Sequence, residues 1–508
     1  MSLIAGLKHA RTRNPEKPAI VFGQQSLTHA ELTYAEFDEL TDNVASNLLA
    51  AGLESGDRIA LHLLNGPELA IAYFGCLKAG GIVVPINPQL KGPEIDYILR
   101  HSGSACYIGQ PDLYPEAAKS CPAMTALELR YLTGGRPGSG TSSFDSLLRS
   151  TAGSVRIPEI VPDQVAAILY TSGTTSRPKG VMHSHESLIQ TARAMHQMRL
   201  DQDQVAVVMS SMTHMVGFGM VFLSGLLNGA TVVITRPFDF RSVLEAYGRW
   251  GCTYTVGLPV MFHGLLQAQT EMPQDMASGR FYFSGGDSAS PALQEAFQAA
   301  FGPVCEAYGM TEIAPAAWNC PGHVRVGSIG QPGEGVAFRL VDSDDHDVKS
   351  GDVGEICVRG PHLMIGYWQD PDATTAAVRN GWFHTGDLAR CDVDGFYWFA
   401  GRKKEIIIRG GSNISPQEVE AVLYQHPAVG EVGVVGRQDH VWGEVVVAFV
   451  ALRSGQAVTE AELIAFARER LADYKIPVSV IFRAELPKGP TGKIQRRALG
   501  KEENAFAH

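Results

Sequence analysis

Short runs of β-branched and aliphatic residues alternate with helical patterns along most of the chain. Residues 58–64, 205–209 and 230–235 are typical of buried strands, whereas residues 187–199 and 242–249 carry apolar residues at helical spacing. Parallel strands need a crossover connection between them, and a helix usually supplies it. The alternation therefore predicts an α/β fold with parallel-rich sheets.

The composition excludes several classes of protein. The 508 residues include 42 Lys or Arg and 53 Asp or Glu, so the net charge is −11, which does not favour binding to nucleic acid or to an anionic membrane. The 45% hydrophobic and 19% charged residues are normal for a globular chain with a large core. The most apolar stretch, residues 71–86, is broken by Lys78 and by two adjacent glycines, so we expect no membrane-spanning helix.

The cysteines and the N-terminus indicate a reducing compartment. The eight cysteines include no Cys-x-x-Cys pair, which argues against a zinc ribbon and against thioredoxin-type chemistry. At the N-terminus the basic residues follow a short apolar stretch instead of preceding it, unlike the order in a signal peptide. We therefore expect a cytoplasmic protein with reduced thiols.

The pattern changes twice towards the C-terminus. Beyond the first three hundred or so residues, shorter strands separated by Gly-Asp and Asp-Gly turns favour a small barrel or sheet over residues 335–399. An α+β pattern follows, in which residues 415–418 (SPQE) are predicted as a capping box ahead of a helix and residues 459–462 repeat the signature. We therefore divide the chain into a large N-terminal domain, residues 1–401, and a small mobile C-terminal domain, residues 402–508.

The segment YTSGTTSRPKG at residues 170–180 is the strongest chemical signal in the chain. Small hydroxyl residues around a glycine, directly after an apolar strand, can wrap a polyphosphate with backbone N–H groups and hydroxyls. The segment is not a Walker A loop, because Pro178 precedes the lysine and Gly180 follows it. The competing interpretation is an ordinary flexible turn. The predicted nucleotide contacts in this segment are Thr171, Ser172, Gly173, Thr174, Thr175 and Lys179.

Five segments in the same order resemble the AMP-forming acyl-CoA synthetase, adenylation-domain and luciferase superfamily. Besides residues 170–180 they are YGMTE at 308–312, GWFHTGD at 381–387, GRKKEIIIRGGSN at 401–413 and PKGPTGK at 487–493. Five spaced motifs over nearly the whole chain make a chance match negligible. Ser176 departs from the family, which usually has glycine there, and we expect this change to alter loop mobility without abolishing function.

The resemblance implies a nucleotide site. It makes Tyr308 a stacking surface for adenine, Thr311 a hydroxyl on the α-phosphate, and Glu312 the carboxylate that holds Mg²⁺, for which one Glu is sufficient. It makes Asp387 the acceptor for the two ribose hydroxyls, with Arg402 also contacting the ribose. Taken singly, each short motif is equally compatible with a turn. The remaining implied nucleotide contacts are Gly285, Gly286, Asp287 and Gly309.

The resemblance also implies that the C-terminal domain rotates. The family places the lysine corresponding to Lys493 between the substrate carboxylate and the α-phosphate, where a cation stabilises the developing charge. Lys404 occupies the hinge position, at which other members carry Asp. After rotation, Gly410 and Gly411 would line the channel for the thiol of CoA. Without the resemblance, Lys493 would be a solvated tail residue and the two glycines a β-turn.

The pocket for the acid is implied by His214, Gly217 and Gly309. In the family the position of His214 borders the carboxylate pocket, and we interpret His214 as a pocket wall and not as a proton-transfer group. Three windows expected to line the pocket contain no Lys or Arg, so a second carboxylate or a phosphate on the substrate would lack a partner. This favours an apolar monocarboxylic acid, whether fatty, aryl or alicyclic. The three windows are residues 212–220, 284–290 and 308–320.

The motifs together predict an ATP-dependent acid–thiol ligase. Such an enzyme uses ATP and Mg²⁺ to make an acyl-AMP and pyrophosphate, and then transfers the acyl group to CoA; Lys493, Thr311 and Glu312 are the predicted catalytic residues. One alternative is an adenylating enzyme that passes the acyl group to a carrier-protein thiol or another acceptor. The other is a nucleotide-binding protein without turnover, which would be expected to lack Glu312 or Lys493. The predicted partners are the acid, ATP and CoA, and the resemblance leaves a homodimer open.

Overall fold

The structure is a computed structural model that describes residues 1–22, 31–134, 138, 140–150, 156–171, 178–287, 289, 291–410, 412–489, 493–496 and 498–500. The strands are β1 Pro18–Phe22, β2 Glu31–Thr33, β3 Arg58–His62, β4 Ile82–Pro85, β5 Ser104–Gly109, β6 Leu129–Leu132, β7 Ser142–Ser143, β8 Val165–Thr171, β9 Lys179–Ser184, β10 Val205–Val208, β11 Thr231–Ile234, β12 Tyr254–Gly257, β13 Phe281–Gly285, β14 Val304–Met310, β15 Ile313–Trp318, β16 Gln331–Pro332, β17 Ala337–Val341, β18 Gly354–Arg359, β19 Gly366–Tyr367, β20 Val378–Arg379, β21 Trp382–Cys391, β22 Tyr397–Arg402, β23 Ile407–Arg409, β24 Ser412–Ile414, β25 Val429–Asp439, β26 Gly443–Leu452 and β27 Ser479–Arg483. The helices are α1 Leu3–Arg13, α2 Tyr34–Ala50, α3 Pro67–Lys78, α4 Gly92–Ser102, α5 Tyr114–Ser120, α6 Pro122–Ala126, α7 Asp145–Leu148, α8 His185–Gln197, α9 Ser224–Leu227, α10 Phe240–Trp250, α11 Pro259–Glu271, α12 Pro291–Ala300, α13 Pro371–Ala377, α14 Pro416–Leu423 and α15 Glu460–Arg468, with a π-helix at Val216–Leu223 and a 3₁₀ helix at Asp473–Lys475.

Two parallel-rich sheets make up most of the large domain. The first has the strand order β16-β15-β14-β13-β12-β10-β11-β1-β2, and its strands from β1 to β14 pair in parallel. The second has the order β19-β9-β8-β4-β3-β5-β6-β7, and its strands from β8 to β7 pair in parallel. The predicted α/β fold with parallel-rich sheets is confirmed.

The most apolar segment of the chain is a buried helix followed by a strand. Every residue of α3 except Glu68 is buried, and β4 follows it along the chain and lies in the second sheet. Lys78, at the end of α3, is buried with its charge compensated. Its Nζ lies 2.6 Å from Asp38 Oδ1 and 2.6 Å from Asp42 Oδ1, both on α2. Among the residues that the structure describes, no helix is long and apolar enough to cross a membrane.

A third, smaller sheet follows the first two along the chain. Its order is β17-β18-β21-β20, and β22 pairs with the other part of the long strand β21. This sheet corresponds to the strand-rich region predicted over residues 335–399 and extends it to Arg402. Two residues of the candidate site, Asp387 and Arg402, are direct partners across the β21–β22 ladder.

The C-terminal α+β unit contains a sheet of order β24-β23-β26-β25, with β27 pairing parallel to β26. Thr459 caps α15 in the predicted capping box, since its side chain and that of Glu462 each accept from the other's backbone N–H. The capping box predicted at residues 415–418 is wrong: Ser415 makes no side-chain cap bond. The reason is competition, because Ser415 Oγ bonds Gln417 and the Glu418 carboxylate accepts from Lys475 Nζ at 2.5 Å.

Candidate active site

The candidate site lies where parallel strands of the first sheet end. β12, β13 and β14 run in the same direction, so the turn after β13 and the end of β14 share one edge, the edge at which α/β proteins bind ligands. Gly286, in that turn, has a φ of 80°, a left-handed conformation that favours glycine. Its carbonyl oxygen accepts a hydrogen bond from Lys493 Nζ. The turn therefore holds the lysine of the C-terminal motif beside the sheet edge.

The ammonium of Lys493 has lost much of its hydration here. Burial lowers the pKa of Lys493, whereas the negative charge of Asp287 acts in the opposite direction. Asp287 itself is exposed and follows Gly286 in the turn. A poorly hydrated ammonium interacts strongly with any anion placed next to it, because little solvent screens the charge. This is the environment that a cation acting on a phosphate or a carboxylate requires.

Asp387 is a buried carboxylate held by residues from two sheets. Tyr308, on β14, donates its hydroxyl to Asp387 Oδ2 at 2.8 Å, and Arg402 Nε lies 3.3 Å from Asp387 Oδ1. Burial raises the pKa of Asp387, while the Arg402 charge and the Tyr308 hydrogen bond lower it in part. The structure thus brings together the three residues predicted to surround adenine and ribose.

Glu312 and Lys179 both contact the same aromatic residue. Tyr367, on β19, donates its hydroxyl to Glu312 Oε1 at 2.8 Å, and Lys179 Nζ lies 4.5 Å from the centre of the Tyr367 ring. Burial raises the pKa of Glu312, and the Tyr367 hydrogen bond and the Lys179 charge counteract that rise. A buried carboxylate beside a lysine that ends the loop of residues 170–180 offers a hard oxygen ligand next to a phosphate-binding charge.

Thr311 is positioned through its backbone. His183, on β9, is buried, and its Nε2 donates to the Thr311 carbonyl oxygen at 2.8 Å. Burial lowers the pKa of His183 to about 4, so the imidazole is neutral at physiological pH. The following residue is held as well, because Met364 N donates to the Glu312 carbonyl oxygen at 2.7 Å. The backbone that carries Thr311 and Glu312 is therefore fixed from two sides.

The residues predicted for the acid pocket are tightly constrained. Asn87 Nδ2 donates to His214 Nε2 at 3.1 Å, and burial together with the Lys493 charge lowers the pKa of His214 to about 4. A Cβ at Gly217 would lie 2.3 Å from the Ser211 carbonyl oxygen, and one at Gly309 would lie 2.9 Å from the Ile313 carbonyl oxygen. Backbone cannot yield as a flexible side chain can, so only glycine fits at these two positions.

The phosphate loop is described only at its two ends. Thr171 ends β8 and pairs with Lys179, which begins β9, so the two ends of the segment lie side by side in an antiparallel pair of strands. Thr171 and Lys179 are both half-buried. The predicted nucleotide contacts between these two residues lie outside the described residues. So do the serine that replaces the family's usual glycine and one of the two glycines predicted to line the CoA channel. They are Ser172, Gly173, Thr174, Thr175, Ser176 and Gly411.

The predicted hinge residue, Lys404, lies in the turn between β22 and β23. Its neighbour Lys403 is tied to the third sheet, because Lys403 N donates to the Gly386 carbonyl oxygen at 2.8 Å and Lys403 Nζ lies 3.0 Å from Glu355 Oε2. Gly410 has a φ of 56°, and its N–H donates to the Trp442 carbonyl oxygen at 2.7 Å. Gly410 thus contacts its own domain, while Lys493 contacts the turn after β13.

Four residues that support the site were not predicted from the sequence: Asn87, His183, Tyr367 and Glu306. Each lies far from a motif or at its border and contacts a predicted residue only in the folded chain. Glu306, for example, accepts from Ala289 N at 3.3 Å and from Gln294 Nε2 at 3.2 Å beneath the turn after β13, and burial raises its pKa. Only His183 has a visible signal in the sequence, because it lies just after the loop motif and two positions before a second histidine, His185.

The chain matches two family models in sequence. The model described as AMP-binding enzyme matches residues 7–368, and the model described as AMP-binding enzyme C-terminal domain matches residues 418–493. The chain is also 36% identical over 474 residues to a feruloyl-CoA synthase of an Amycolatopsis species, with 91% of this chain and 92% of that protein covered. The chain belongs to the AMP-forming acyl-CoA synthetases of the AMP-binding enzyme family.

The synthetase is similar to further members with known names and structures. It is 33% identical over 541 residues to a long-chain-fatty-acid–CoA ligase of Bacillus subtilis strain 168, covering 99% of this chain and 94% of that protein. The crystal structure of an anthranilate CoA ligase in complex with anthranoyl-AMP superposes with a TM-score of 0.93 at 28% identity, covering 100% of this chain and 98% of that chain.

The reaction of the synthetase is ATP-dependent ligation of a carboxylic acid to CoA through an acyl-adenylate. This confirms the reaction class predicted from the five motifs, together with the expected use of ATP and CoA. The two family models leave residues 369–417 between them. The domain boundary at residue 402 therefore stays a prediction, as do the roles of the individual residues.

Proposed function

We propose that the synthetase activates an apolar monocarboxylic acid, aryl or fatty, and that Lys493, Thr311 and Glu312 carry the first half-reaction. One observation carries the proposal: Lys493, in the C-terminal unit, donates to the Gly286 carbonyl oxygen at the carboxyl edge of the first sheet. At this edge it lies beside the residues expected to hold the nucleotide and the acid. A substrate carboxylate and an α-phosphate repel each other, so a cation between them favours the transition state.

The nucleotide is proposed to occupy the space between Tyr308, Asp387 and Arg402. The Asp387 carboxylate would accept the ribose hydroxyls in charge-assisted hydrogen bonds, which are stronger than neutral ones. Arg402 Nε, 3.3 Å from the same carboxylate, favours its ionised form and so counteracts the effect of burial on its pKa. The Tyr308 ring is fixed in place through its hydroxyl bond to Asp387. A ring fixed in this way offers adenine a rigid apolar face.

The residues present fit a bound Mg²⁺, for which Glu312 is the proposed ligand. Mg²⁺ prefers hard oxygen ligands and commonly takes one or two carboxylates together with phosphate oxygens. A bound Mg²⁺ would neutralise charge on the phosphates and favour loss of pyrophosphate. The protein's own part is to orient the Glu312 carboxylate through the Tyr367 hydroxyl and to place the Lys179 charge over the Tyr367 ring.

The acid is proposed to lie against His214 and Gly217. The imidazole of His214 stays neutral because its pKa is about 4, and its Nε2 already accepts from Asn87, so His214 acts as a pocket wall. The three windows expected to line the pocket contain no Lys or Arg. A substrate with a second negative charge would therefore lose hydration without gaining a partner. The feruloyl-CoA synthase and the long-chain-fatty-acid–CoA ligase among its relatives support an aryl or a fatty acid.

The second half-reaction is proposed to follow rotation of residues 402–508 about Lys404. Rotation would remove Lys493 from the turn after β13 and bring Gly410 and Gly411 towards the acyl-adenylate. The two steps need different groups next to the same atom, which is the physical reason for a mobile domain.

A cytoplasmic location is proposed because all eight cysteines are free thiols in the structure. A homodimer stays an expectation that light scattering would test.

The decisive experiment measures AMP and pyrophosphate release from ATP and Mg²⁺ across aryl, fatty and alicyclic acids, with and without CoA. We expect AMP and thioester to appear together for aryl or fatty acids. The variant Lys493→Ala should reduce acyl-adenylate formation by about a hundredfold or more, because it removes a charge aimed at the transition state. Thioester formation from synthetic acyl-AMP should be much less affected.

The matched control is Lys488→Ala. Lys488 lies in the same C-terminal segment, but its Nζ pairs with Glu431. This variant should keep both half-reactions near the wild-type rates. Pyrophosphate release that does not depend on CoA would favour the alternative of an adenylating enzyme that passes the acyl group to a carrier-protein thiol or another acceptor. Equal loss of both half-reactions in Lys493→Ala would contradict the proposed role of Lys493.

A further inference from the structure

The hydroxyl of Tyr97, on α4, hydrogen-bonds the backbone next to Lys179. It donates to the Pro178 carbonyl oxygen at 3.0 Å. That carbonyl and the N–H of Lys179 belong to the same planar peptide group, so a bond to one fixes the orientation of the other. Lys179 is one of the residues predicted to contact the nucleotide. Its backbone is therefore tied to a helix that carries none of the five motifs.

His101 connects the same helix to the other end of the segment at residues 170–180. Its Nδ1 lies 2.8 Å from the Tyr170 hydroxyl, a hydrogen-bond distance. Tyr170 is on β8 and lies opposite Gly180 in the ladder with β9. The His101 ring also stacks on the Tyr97 ring, with centroids 5.2 Å apart and 22° between the planes. The two side chains, one helical turn apart, therefore act together on both ends of the segment.

Trp368 adds two hydrogen bonds from the side of Tyr367. Its indole Nε1 donates to the His101 carbonyl oxygen at 3.0 Å, and its backbone N–H donates to the Gly180 carbonyl oxygen at 2.7 Å. Tyr367, the preceding residue, has its ring centre 4.5 Å from Lys179 Nζ. Both chain neighbours of the lysine are thus fixed through their carbonyl groups, and its ammonium lies over an aromatic ring.

Helix α4 is a rigid support for these contacts. Three of its residues are buried in one cluster with Ile168 of β8; they are Ile95, Ile98 and Leu99. Close-packed side chains interdigitate with few voids, so a helix held by them resists displacement. Tyr97 and His101 can therefore impose a fixed position on the strand ends that they contact.

The position of the Lys179 backbone matters because of the chemistry proposed for its side chain. A lysine carries a point charge on a flexible stem, so the attachment point of the stem limits where the charge can lie. The energy between two charges varies inversely with their distance. A displacement of about 1 Å near a reacting group can cost about a hundredfold in rate.

We propose that Tyr97 is a positioning residue for Lys179 and, through it, for the phosphates that leave as pyrophosphate, with His101 and Trp368 holding the adjoining backbone. This role depends on the phosphate contact proposed for Lys179 above. Loss of the Tyr97 hydroxyl should weaken the binding of ATP and of pyrophosphate but not that of AMP. The reason is that the residues proposed to hold adenine and ribose lie on β14, β21 and β22, which belong to the other two sheets of the large domain.

The test compares Tyr97→Phe with the wild type in pyrophosphate release at varied ATP, with Mg²⁺ and the acid saturating. The variant keeps the ring that stacks on His101 and removes only the hydroxyl. We expect KM for ATP to rise by roughly three- to tenfold, the effect of losing one neutral hydrogen bond. The inhibition constant of pyrophosphate should rise by a similar factor. The values of kcat, of KM for the acid and of the calorimetric Kd for AMP should stay near those of the wild type.

A double-mutant cycle with Lys179→Met separates this role of Tyr97 from the role proposed for the lysine. Lys179→Met alone should raise KM for ATP, and Tyr97→Phe should add little in that background, because the hydroxyl acts through the lysine. An unchanged KM for ATP in Lys179→Met would contradict the phosphate contact itself. A raised KM in Lys179→Met together with an unchanged KM in Tyr97→Phe, or with additive effects in the double variant, would overturn the role of Tyr97 alone.

The matched control is Tyr34→Phe. The hydroxyl of Tyr34, at the start of α2, also donates to a backbone carbonyl oxygen, that of Ala230 at 2.7 Å. This variant should keep the wild-type KM for ATP whatever its stability. An equal rise of KM in Tyr34→Phe, or an equal loss of AMP binding in Tyr97→Phe, would overturn the proposal. If Tyr97→Phe does not fold, as judged by near-ultraviolet circular dichroism, Tyr170→Phe removes the contact with His101 instead, and an unchanged KM for ATP in that variant overturns the proposal.

Discussion

Tyr367 contacts both charged residues that the mechanism assigns to phosphate and metal. Its hydroxyl donates to Glu312 at 2.8 Å, and its ring lies 4.5 Å from Lys179 Nζ. Burial raises the pKa of Glu312 and so disfavours the ionised form that a metal needs; a hydrogen bond to the carboxylate acts in the opposite direction. Tyr367 is therefore a positioning residue for Glu312.

We expect Tyr367→Phe to reduce kcat/KM for acyl-adenylate formation by about tenfold, since a hydrogen bond to a charged group contributes roughly 1.5–3 kcal/mol. The variant should also require a higher Mg²⁺ concentration for half-maximal rate, because the carboxylate is less well oriented and less readily ionised. Pyrophosphate release as a function of Mg²⁺ measures both effects. Tyr114→Phe, far along the chain in α5, is the control, and an unchanged Mg²⁺ requirement in Tyr367→Phe would contradict the assignment.

A second residue-scale prediction concerns His185, the first residue of α8. Burial lowers its pKa from 6.5 to about 4. In the unfolded chain His185 therefore binds a proton below about pH 6.5, whereas in the folded chain it does so only near pH 4. The contribution of His185 to the free energy of unfolding is therefore fully present above about pH 6.5 and is lost as the pH falls from 6.5 towards 4. Between pH 7 and pH 5 this loss amounts to about 2 kcal/mol.

His185→Gln should remove this part of the acid sensitivity. We expect the urea midpoint of the variant to fall less between pH 7 and pH 5 than that of the wild type, whatever its stability at pH 7. His346→Gln, which replaces an exposed histidine, should follow the wild-type pH curve. Parallel curves for wild type and His185→Gln would show that folding does not lower the pKa of His185.

At the scale of elements, the segment that carries Lys493 is held by a fork of ion pairs. Arg496 Nε and NH2 contact the Glu420 carboxylate at 2.8 and 2.6 Å, and Arg496 NH1 contacts Glu405 at 3.0 Å. Gly489 N also donates to the Lys493 carbonyl oxygen at 2.7 Å. Glu420 lies on α14, and Glu405 follows the hinge residue, so Arg496 connects the lysine segment to the rest of the C-terminal unit.

Replacing Arg496 should disturb the first half-reaction selectively. We expect Arg496→Gln to lower kcat for acyl-adenylate formation by about ten- to a hundredfold, because a displacement of about 1 Å at a reacting group can cost that much. The rate of thioester formation from synthetic acyl-AMP should change little, since Lys493 is proposed to act only in the first half-reaction. Arg470→Gln, at an exposed pair with Glu469, is the control. Equal loss in both half-reactions would instead indicate general unfolding of the C-terminal unit.

At the scale of the whole molecule, the structure shows one of the two arrangements that the proposed domain rotation would connect. Lys493 contacts the turn after β13, whereas Gly410 contacts Trp442 of its own domain. This is the arrangement suited to acyl-adenylate formation. Lys403, directly before the proposed hinge residue, is hydrogen-bonded to Gly386 and Glu355 of the third sheet. A change of the backbone angles at Lys404 would therefore move the residues that follow it while Lys403 stays attached to that sheet.

Lys404→Pro should separate the two half-reactions. Proline holds φ near −65°, which opposes the angle change that rotation needs. We expect pyrophosphate release to stay within a few-fold of wild type and thioester formation to fall by tenfold or more, roughly the effect of blocking a required conformational step. Stopped assays of each half-reaction measure this, with Lys404→Ala as the control that keeps the backbone free. Unchanged thioester formation in Lys404→Pro would place the hinge elsewhere.

The motif residues show which parts of the site were predictable. Tyr308, Asp387 and Arg402 come from separate segments, and the structure joins them as the resemblance implied. Tyr367, Asn87 and Glu306 were not predicted, because each acts through one contact made only after folding and none belongs to a local pattern. The capping box at Ser415 failed for a related reason, since Lys475, distant in sequence, contacts Glu418 and competes for it.

The sequence by itself determined the fold class, the order of the domains and the reaction class. Hydrophobic periodicity and short motifs are local properties, and the motifs are recognisable because their chemistry needs particular residue types at particular spacings. Only the tertiary structure decided that Lys493 contacts the turn after β13 and that the Tyr367 hydroxyl orients Glu312. Those outcomes depend on packing between segments far apart in the chain, and no local pattern encodes such distances.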